Sequence, residues 1–257
     1  METQNFGRMC RLLGIMANRP VDLEFSLTRF REEAECNPDG WGIGWYEGGE
    51  AKIFKQGVSA LSPASRFQEL SRSVRSKIII CHVRKGTHGM PAERNSHPFR
   101  YGCWIFAHNG CVDRDALLLR LEERYIREIS GETDSEVYFY WILQCIEERG
   151  VHGIEEAVRE AARGSGGLNF LLSDGRELYA FRYGRSLYML RRDPGCGELQ
   201  HTSGETGAML KSKLLKGEKA VLICSEKLTS DESWEEVRDG NLLVVDGNLN
   251  VKKGKIL

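Results

Sequence analysis

"KIIICHVRKGTHGMPAERNSHPFRYGCWIFAHNG", residues 77–110, contains two apolar runs, each ending in polar and glycine residues. Lys77–Val83 and Cys103–Val112 are short and rich in isoleucine and aromatic residues, which predicts two buried strands. Four of the six histidines fall between positions 82 and 108, at the strand ends and on the loop between them. Such places carry chemistry more often than packed faces do, because loops ride on a rigid scaffold. For each residue taken singly a plainer reading stays open. Gly86, Gly89 and Gly110 serve equally as turn glycines, and His82 and His108 as hydrogen-bonded core histidines.

Outward toward the N-terminus, Cys10–Ala17 reads as another strand and Val21–Glu35 as an amphipathic helix, with Leu23, Leu27 and Phe30 at helical spacing. Trp41–Gly57 predicts a hairpin about Gly48-Gly49. Ser62–Val74 predicts a short helix with Ser62 as cap and Pro63 in its first turn. Toward the C-terminus, Asp113–Ile129 reads as one helix capped by Asp113. Asp134–Gly150 reads as a second, stopped by its glycine, and Ile154–Arg163 as a third. Beyond Gly164 the pattern turns to strands: Leu168–Gly175, Glu177–Gly184, Ser186–Arg192, Ala220–Glu226, Asn241–Gly247 and Leu249–Leu257. Asp174-Gly175 and Asp246-Gly247 read as hairpin turns. Strands, paired helices and strands again predict an α+β fold with antiparallel sheets. No linker, repeat or low-complexity tract divides the chain.

The 257 residues carry 36 basic and 37 acidic side chains, so no charge excess argues for nucleic acid or an anionic membrane. Runs such as Glu32-Glu33 and Lys252-Lys253 read as solvated faces. The eight cysteines show no C-x-x-C spacing, which gives little support to a zinc site. Most sit in apolar runs as small hydrophobes. No segment has the length of a signal peptide core or a membrane span, and the expected location is the cytoplasm. No phosphate-cradling glycine loop follows a strand, so no nucleotide and no cofactor is expected.

The polar residues suggest one chemistry when they are joined. A cysteine that begins a chain has its own base, because a free α-amine titrates near about 7.7–8.0 and can take the thiol proton. Cys10, directly after Met9, is the candidate nucleophile. Its attack on a carbonyl creates an oxyanion that needs two donors. Asn109 suits as a side-chain amide, and Gly110 as a backbone N–H without a Cβ in the way. For an amino-acid substrate head, Arg84 offers a planar fork to the carboxylate and Asp134 an anion to the ammonium.

"MCRLLGI", "DGWGIGWY", "HVRKGTHG", "FAHNG" and "GETDSE" together resemble the class II glutamine amidotransferases, which are N-terminal nucleophile (Ntn) hydrolases. The resemblance implies a four-layer αββα sandwich with two stacked antiparallel sheets. It implies Cys10 as nucleophile, Asn109 and Gly110 as oxyanion hole, and Arg84, Thr87, His88 and Asp134 as substrate-binding residues. The domain would run over residues 10–257, with residues 1–9 a short propeptide or a mis-assigned start; if they stay, the nucleophile lacks its amine. The later strands resemble the stand-alone branch, which includes a γ-glutamyl hydrolase of ergothioneine synthesis and a subunit of fungal glutathione breakdown. Two positions depart from the family pattern. Arg11 stands where many members have glycine, and Lys85 where synthase-linked members have tryptophan.

The leading expectation is therefore hydrolysis of glutamine or another small γ-glutamyl amide through a thioester. One alternative is a glutaminase subunit that supplies ammonia to a separate synthase partner. The other is a non-catalytic pocket protein with Cys10 blocked.

Overall fold

The computed structural model describes residues 10–21, 37–86, 89–193, 199–202, 209–212, 218–229 and 232–257. The N-terminal strand β1 (Arg11–Val21) lies at the centre of a seven-stranded sheet in the order β13-β9-β12-β1-β4-β2-β3. The partners are β2 (Gly40–Glu47), β3 (Glu50–Gln56), β4 (Ser76–Arg84), β9 (Tyr188–Arg192), β12 (Ala220–Cys224) and the short β13 (Glu235–Glu236). A six-stranded sheet has the order β15-β14-β8-β7-β6-β5. It consists of β5 (Phe99–Tyr101), β6 (Trp104–Gly110), β7 (Leu168–Ser173), β8 (Leu178–Phe181), β14 (Asn241–Val245) and β15 (Val251–Lys255). β10 (Leu199–Thr202) and β11 (Met209–Ser212) pair with each other as a separate ribbon. The strand pairs in both sheets are antiparallel, as the hairpin turns in the sequence predict.

Period-two alternation sorts the side chains into three cores. Leu12 and Met16 of β1, Ile78 and Ile80 of β4, and Val221 and Ile223 of β12 face Ile105, Ala107, Leu171 and Ala180 of the other sheet. The alternate residues Leu13, Ile15, Ile79, Cys81 and Leu222 face outward, where Phe67 and Leu70 of α1 (Phe67–Ser73) cover them. On the far side, Phe106, Leu168, Phe170 and Leu172 pack against α4 (Asp134–Arg149) and α5 (Gly153–Ala161). This is the α–β–β–α order. Two antiparallel sheets lie face to face, with helices on their outer surfaces.

Some local expectations need correction. The Val21–Glu35 helix falls outside the described residues except for Val21, which closes β1. The helix after Ser62 begins only at Phe67, its cap position is Arg66, and no side chain caps it. Ser62 and Ser65 instead close the preceding turns through their hydroxyls. The Asp113–Ile129 run divides into α2 (Arg114–Leu118) and α3 (Glu123–Ile126). Asp113 does cap α2, accepting from Ala116 N at 3.0 Å. At the β14–β15 turn the left-handed residue is Leu249 (φ 65°) rather than Gly247. Asp246 holds that turn by accepting from the N–H groups of Asn248 and Asn250. The Gly48-Gly49 turn is as expected, with φ of 60° and 85°.

Candidate active site at one end of the sandwich

Antiparallel pairing brings the start of β1 beside the end of β4, where Arg11 pairs with Val83, and beside the end of β12, where Leu13 pairs with Cys224. In the facing sheet, the end of β6 meets the start of β7 with Gly110 opposite Leu168. β1 and β4 pack on β6, and β1 also packs on β7, so four strand termini meet at one end. Cys10, Arg84, Asn109 and Gly110 are the residues at those termini.

The thiol of Cys10 sits on the backbone of Lys85. Its Sγ donates to Lys85 O at 3.2 Å and accepts from Lys85 N at 3.1 Å. Burial pushes this thiol above its ordinary range, while the Lys85 N–H and the positive charges of Arg84 and Arg185 act in the opposite direction. Asn109 Nδ2 donates to Cys10 O at 2.7 Å, which ties the two candidate catalytic residues across the sheets.

Gly110 has a specific reason to be glycine. A Cβ there would lie 1.9 Å from Gly167 O and 2.7 Å from His108 Nε2. The close neighbour is the chain entering β7, the strand paired with β6 in the same sheet. Cys111 N donates to the same Gly167 carbonyl at 3.1 Å, and Gly166 N donates back to Cys111 O at 3.0 Å.

Arg84 is 2% exposed and donates through Nη2 to Gly89 O at 2.9 Å. A Cβ on Gly86 would lie 2.9 Å from two guanidinium nitrogens, so the loop lies directly against that group. Asp39 braces this loop: Asp39 N donates to Arg84 O, and Asp39 Oδ2 accepts from Gly86 N at 2.8 Å. Asp134, at the start of α4, accepts from Val112 N at 2.8 Å and fixes the chain just after Gly110. Thr133 caps the helix, through its bond from Glu136 N. His108 Nδ1 lies 2.9 Å from Ser135 Oγ, and burial lowers its pKa to about 4 against the opposing pull of Asp134.

Asn109 is bonded to Cys10 and Cys10 to Lys85, the residue after Arg84, with Gly110 following Asn109. Asp134 joins them through Val112. Thr87, His88 and residues 1–9 lie outside the described residues. Reading the sequence missed two neighbours of this cluster. Asp39 stands in the quoted "DGWGIGWY" stretch, where an acid just before a strand is the available signal. Arg185, in "RYGRSLY", has no local signal at all. Among the described residues no group of histidine, cysteine and acid side chains is placed to hold a metal. No described helix is long and apolar enough to cross a membrane.

The family profile for class II glutamine amidotransferases matches residues 9–255. A Haemophilus influenzae protein named "Putative glutamine amidotransferase" is 31% identical over 252 residues, covering 91% of this chain and 83% of that protein. The γ-glutamyl-hercynylcysteine sulfoxide hydrolase of Mycolicibacterium smegmatis is 28% identical over 221 residues, covering 84% of this chain and 82% of that one. Among solved structures, the glutamine phosphoribosylpyrophosphate amidotransferase of B. subtilis superposes with a TM-score of 0.63 at 19% identity. That match spans 96% of this chain and 49% of the other, and it speaks to the fold alone.

Proposed function

Because the chain belongs to the class II glutamine amidotransferases, we propose that it hydrolyses γ-glutamyl amides with Cys10 as the nucleophile. The observation that carries this reading is the 2.7 Å bond from Asn109 Nδ2 to Cys10 O. It sets an amide donor beside a thiol at the meeting point of four strand ends. The α-amine of Cys10, once it is the first residue, takes the thiol proton. The sulfur then attacks the γ-carbonyl carbon, and negative charge moves to the carbonyl oxygen. An asparagine amide has two N–H donors, so Asn109 can hold Cys10 O with one and the oxyanion with the other, while Gly110 N–H supplies a second contact.

Collapse of the oxyanion expels the amine, which takes the proton back from the Cys10 ammonium, and a thioester remains. Water attacks the thioester with the same amine as base, and glutamate leaves. Arg84 would hold the α-carboxylate of the glutamyl head and Asp134 its ammonium, with Thr87 and His88 as further substrate-binding residues. The raised thiol pKa supports the need for a base next to it, since an unassisted thiol would be largely protonated near neutrality.

The test is turnover by the purified chain beginning at Cys10, with glutamine and larger γ-glutamyl amides as substrates. Release of glutamate by that chain, and none by Cys10→Ala, is the expected result. Equal turnover by protein that retains residues 1–9 would remove the α-amine from the mechanism. Activity that depends on an added synthase would assign the chain to ammonia supply instead.

A further inference from the structure

We propose that Arg185 is a specificity residue that receives an anionic group on the leaving amine, so that the site prefers γ-glutamyl amides of amino acids to glutamine. This rests on the γ-glutamyl reading above. The residues between β8 and β9 cross from the six-stranded sheet to the seven-stranded sheet, and they do so at the end where Cys10 lies. The crossing is stitched to both sheets. Ser186 Oγ donates to Ser225 O at 2.8 Å, and Ser225 is in turn bonded to Leu12 in both directions, two residues from Cys10. On the other side, Arg185 Nη2 donates to Gly166 O at 3.1 Å, and Gly166 is bonded to Cys111 next to Gly110.

The arginine stem lies on Gly167, where an added Cβ would meet Arg185 Cγ and Nε at 3.1 Å. A side chain at position 167 would displace the guanidinium. The group is partly exposed, and its charge acts on Cys10, His108 and Cys111 alike.

The position of this cation is what points to a ligand. β1 lies between β4 and β12. Arg84 ends β4, on one flank of Cys10 in the seven-stranded sheet, while the Arg185 guanidinium is held at Gly166 O, beside Cys111 at the end of β6 in the six-stranded sheet. A γ-glutamyl head brings one carboxylate, which Arg84 is placed to take. A second guanidinium, held on the facing sheet with its charge acting on Cys10, is then left for whatever the leaving half of the substrate carries. Glutamine leaves as ammonia and offers it nothing. A leaving amino acid brings a carboxylate, whose two oxygens match the planar donor fork of an arginine.

The experiment compares kcat/KM for γ-glutamylglycine with that for γ-glutamylglycinamide, which has the same shape without the charge. The Cys10-initiated chain should favour the acid by about tenfold or more, the scale of one charge-assisted contact. In Arg185→Gln the ratio should fall to about one, and Arg185→Lys should restore part of it. An unchanged ratio in Arg185→Gln overturns the proposal. Alkylation of Cys10 by iodoacetate relative to iodoacetamide reads the same charge without turnover, and this ratio too should fall in Arg185→Gln. If no γ-glutamyl amide is hydrolysed while the alkylation ratio still falls, the γ-glutamyl reading fails and the anion-receiving role stands. If the amides are hydrolysed and neither ratio moves, the Arg185 role fails alone.

Discussion

As the proposed nucleophile, Cys10 needs a base at hand because its surroundings hold the proton on the sulfur. Burial is the largest influence, and the Lys85 N–H and the two arginines only partly offset it. The residues around it make separable predictions. Asn109→Ala removes the proposed oxyanion donor and should lower kcat by about 10²–10³-fold with a smaller change in KM, read by steady-state kinetics. Arg84→Lys keeps the charge but loses the planar fork. It should reduce kcat/KM for γ-glutamyl substrates and weaken binding of a glutamine analogue, while binding as tight as that of the unaltered chain would remove Arg84 from recognition. That Cys10, Arg84, Asn109 and Gly110 come together was legible in the sequence because each stands at the end of an apolar run. Arg185 and Asp39 were not. Arg185 reaches the site only because the chain changes sheets just there, and Asp39 only because β2 pairs with β4, with Gly40 opposite Arg84. Neither fact is local in sequence.

At the scale of elements, strands read well because each alternates between two apolar cores, as Leu12 and Leu13 do. Helices read less well where a side chain from elsewhere supplies the missing backbone partner. The Asp113–Ile129 run was expected as one helix, and it breaks after Leu118. Gln144 of α4 holds the break open: its Oε1 accepts from Glu122 N at 2.8 Å and its Nε2 donates to Arg120 O at 3.2 Å. Leu119, which would have continued the apolar stripe, is 90% exposed. Gln144→Leu leaves both backbone groups without this partner and should destabilise the fold by about 1–3 kcal/mol, measured by denaturant unfolding. Gly110→Ala tests the contact between β6 and β7. With Gly167 O at 1.9 Å from the new Cβ, the strand ends must part. Activity should then fall much further than stability, because the proposed oxyanion donors sit on the displaced strand. A variant with full kcat would show that the close approach has no catalytic consequence.

Across the whole molecule, three apolar layers leave a buried histidine group inside. His82 and His97 have ring centroids 4.2 Å apart, and both are buried. Burial lowers His82 to about 3 and His108 to about 4, and it holds His97 well below its usual range, with Arg84 adding to the effect on His82 and His97. In the unfolded chain these groups titrate near about 6.5, so below that pH the unfolded state binds more protons than the folded state. Stability should therefore fall as pH drops below about 6.5, by up to about 1.4 kcal/mol per pH unit for each histidine. Denaturant midpoints at neutral and mildly acidic pH check this; no shift between them would contradict it. The central claim concerns a single sulfur, and intact mass reads it most directly. The chain beginning at Cys10 is mixed with a γ-glutamyl substrate, quenched in acid, weighed whole and then mapped by peptide. The account predicts a γ-glutamyl adduct on Cys10 that is absent from Cys10→Ala and decays as glutamate is released. Glutamate release with no adduct on Cys10, or with the adduct on another residue, would contradict it.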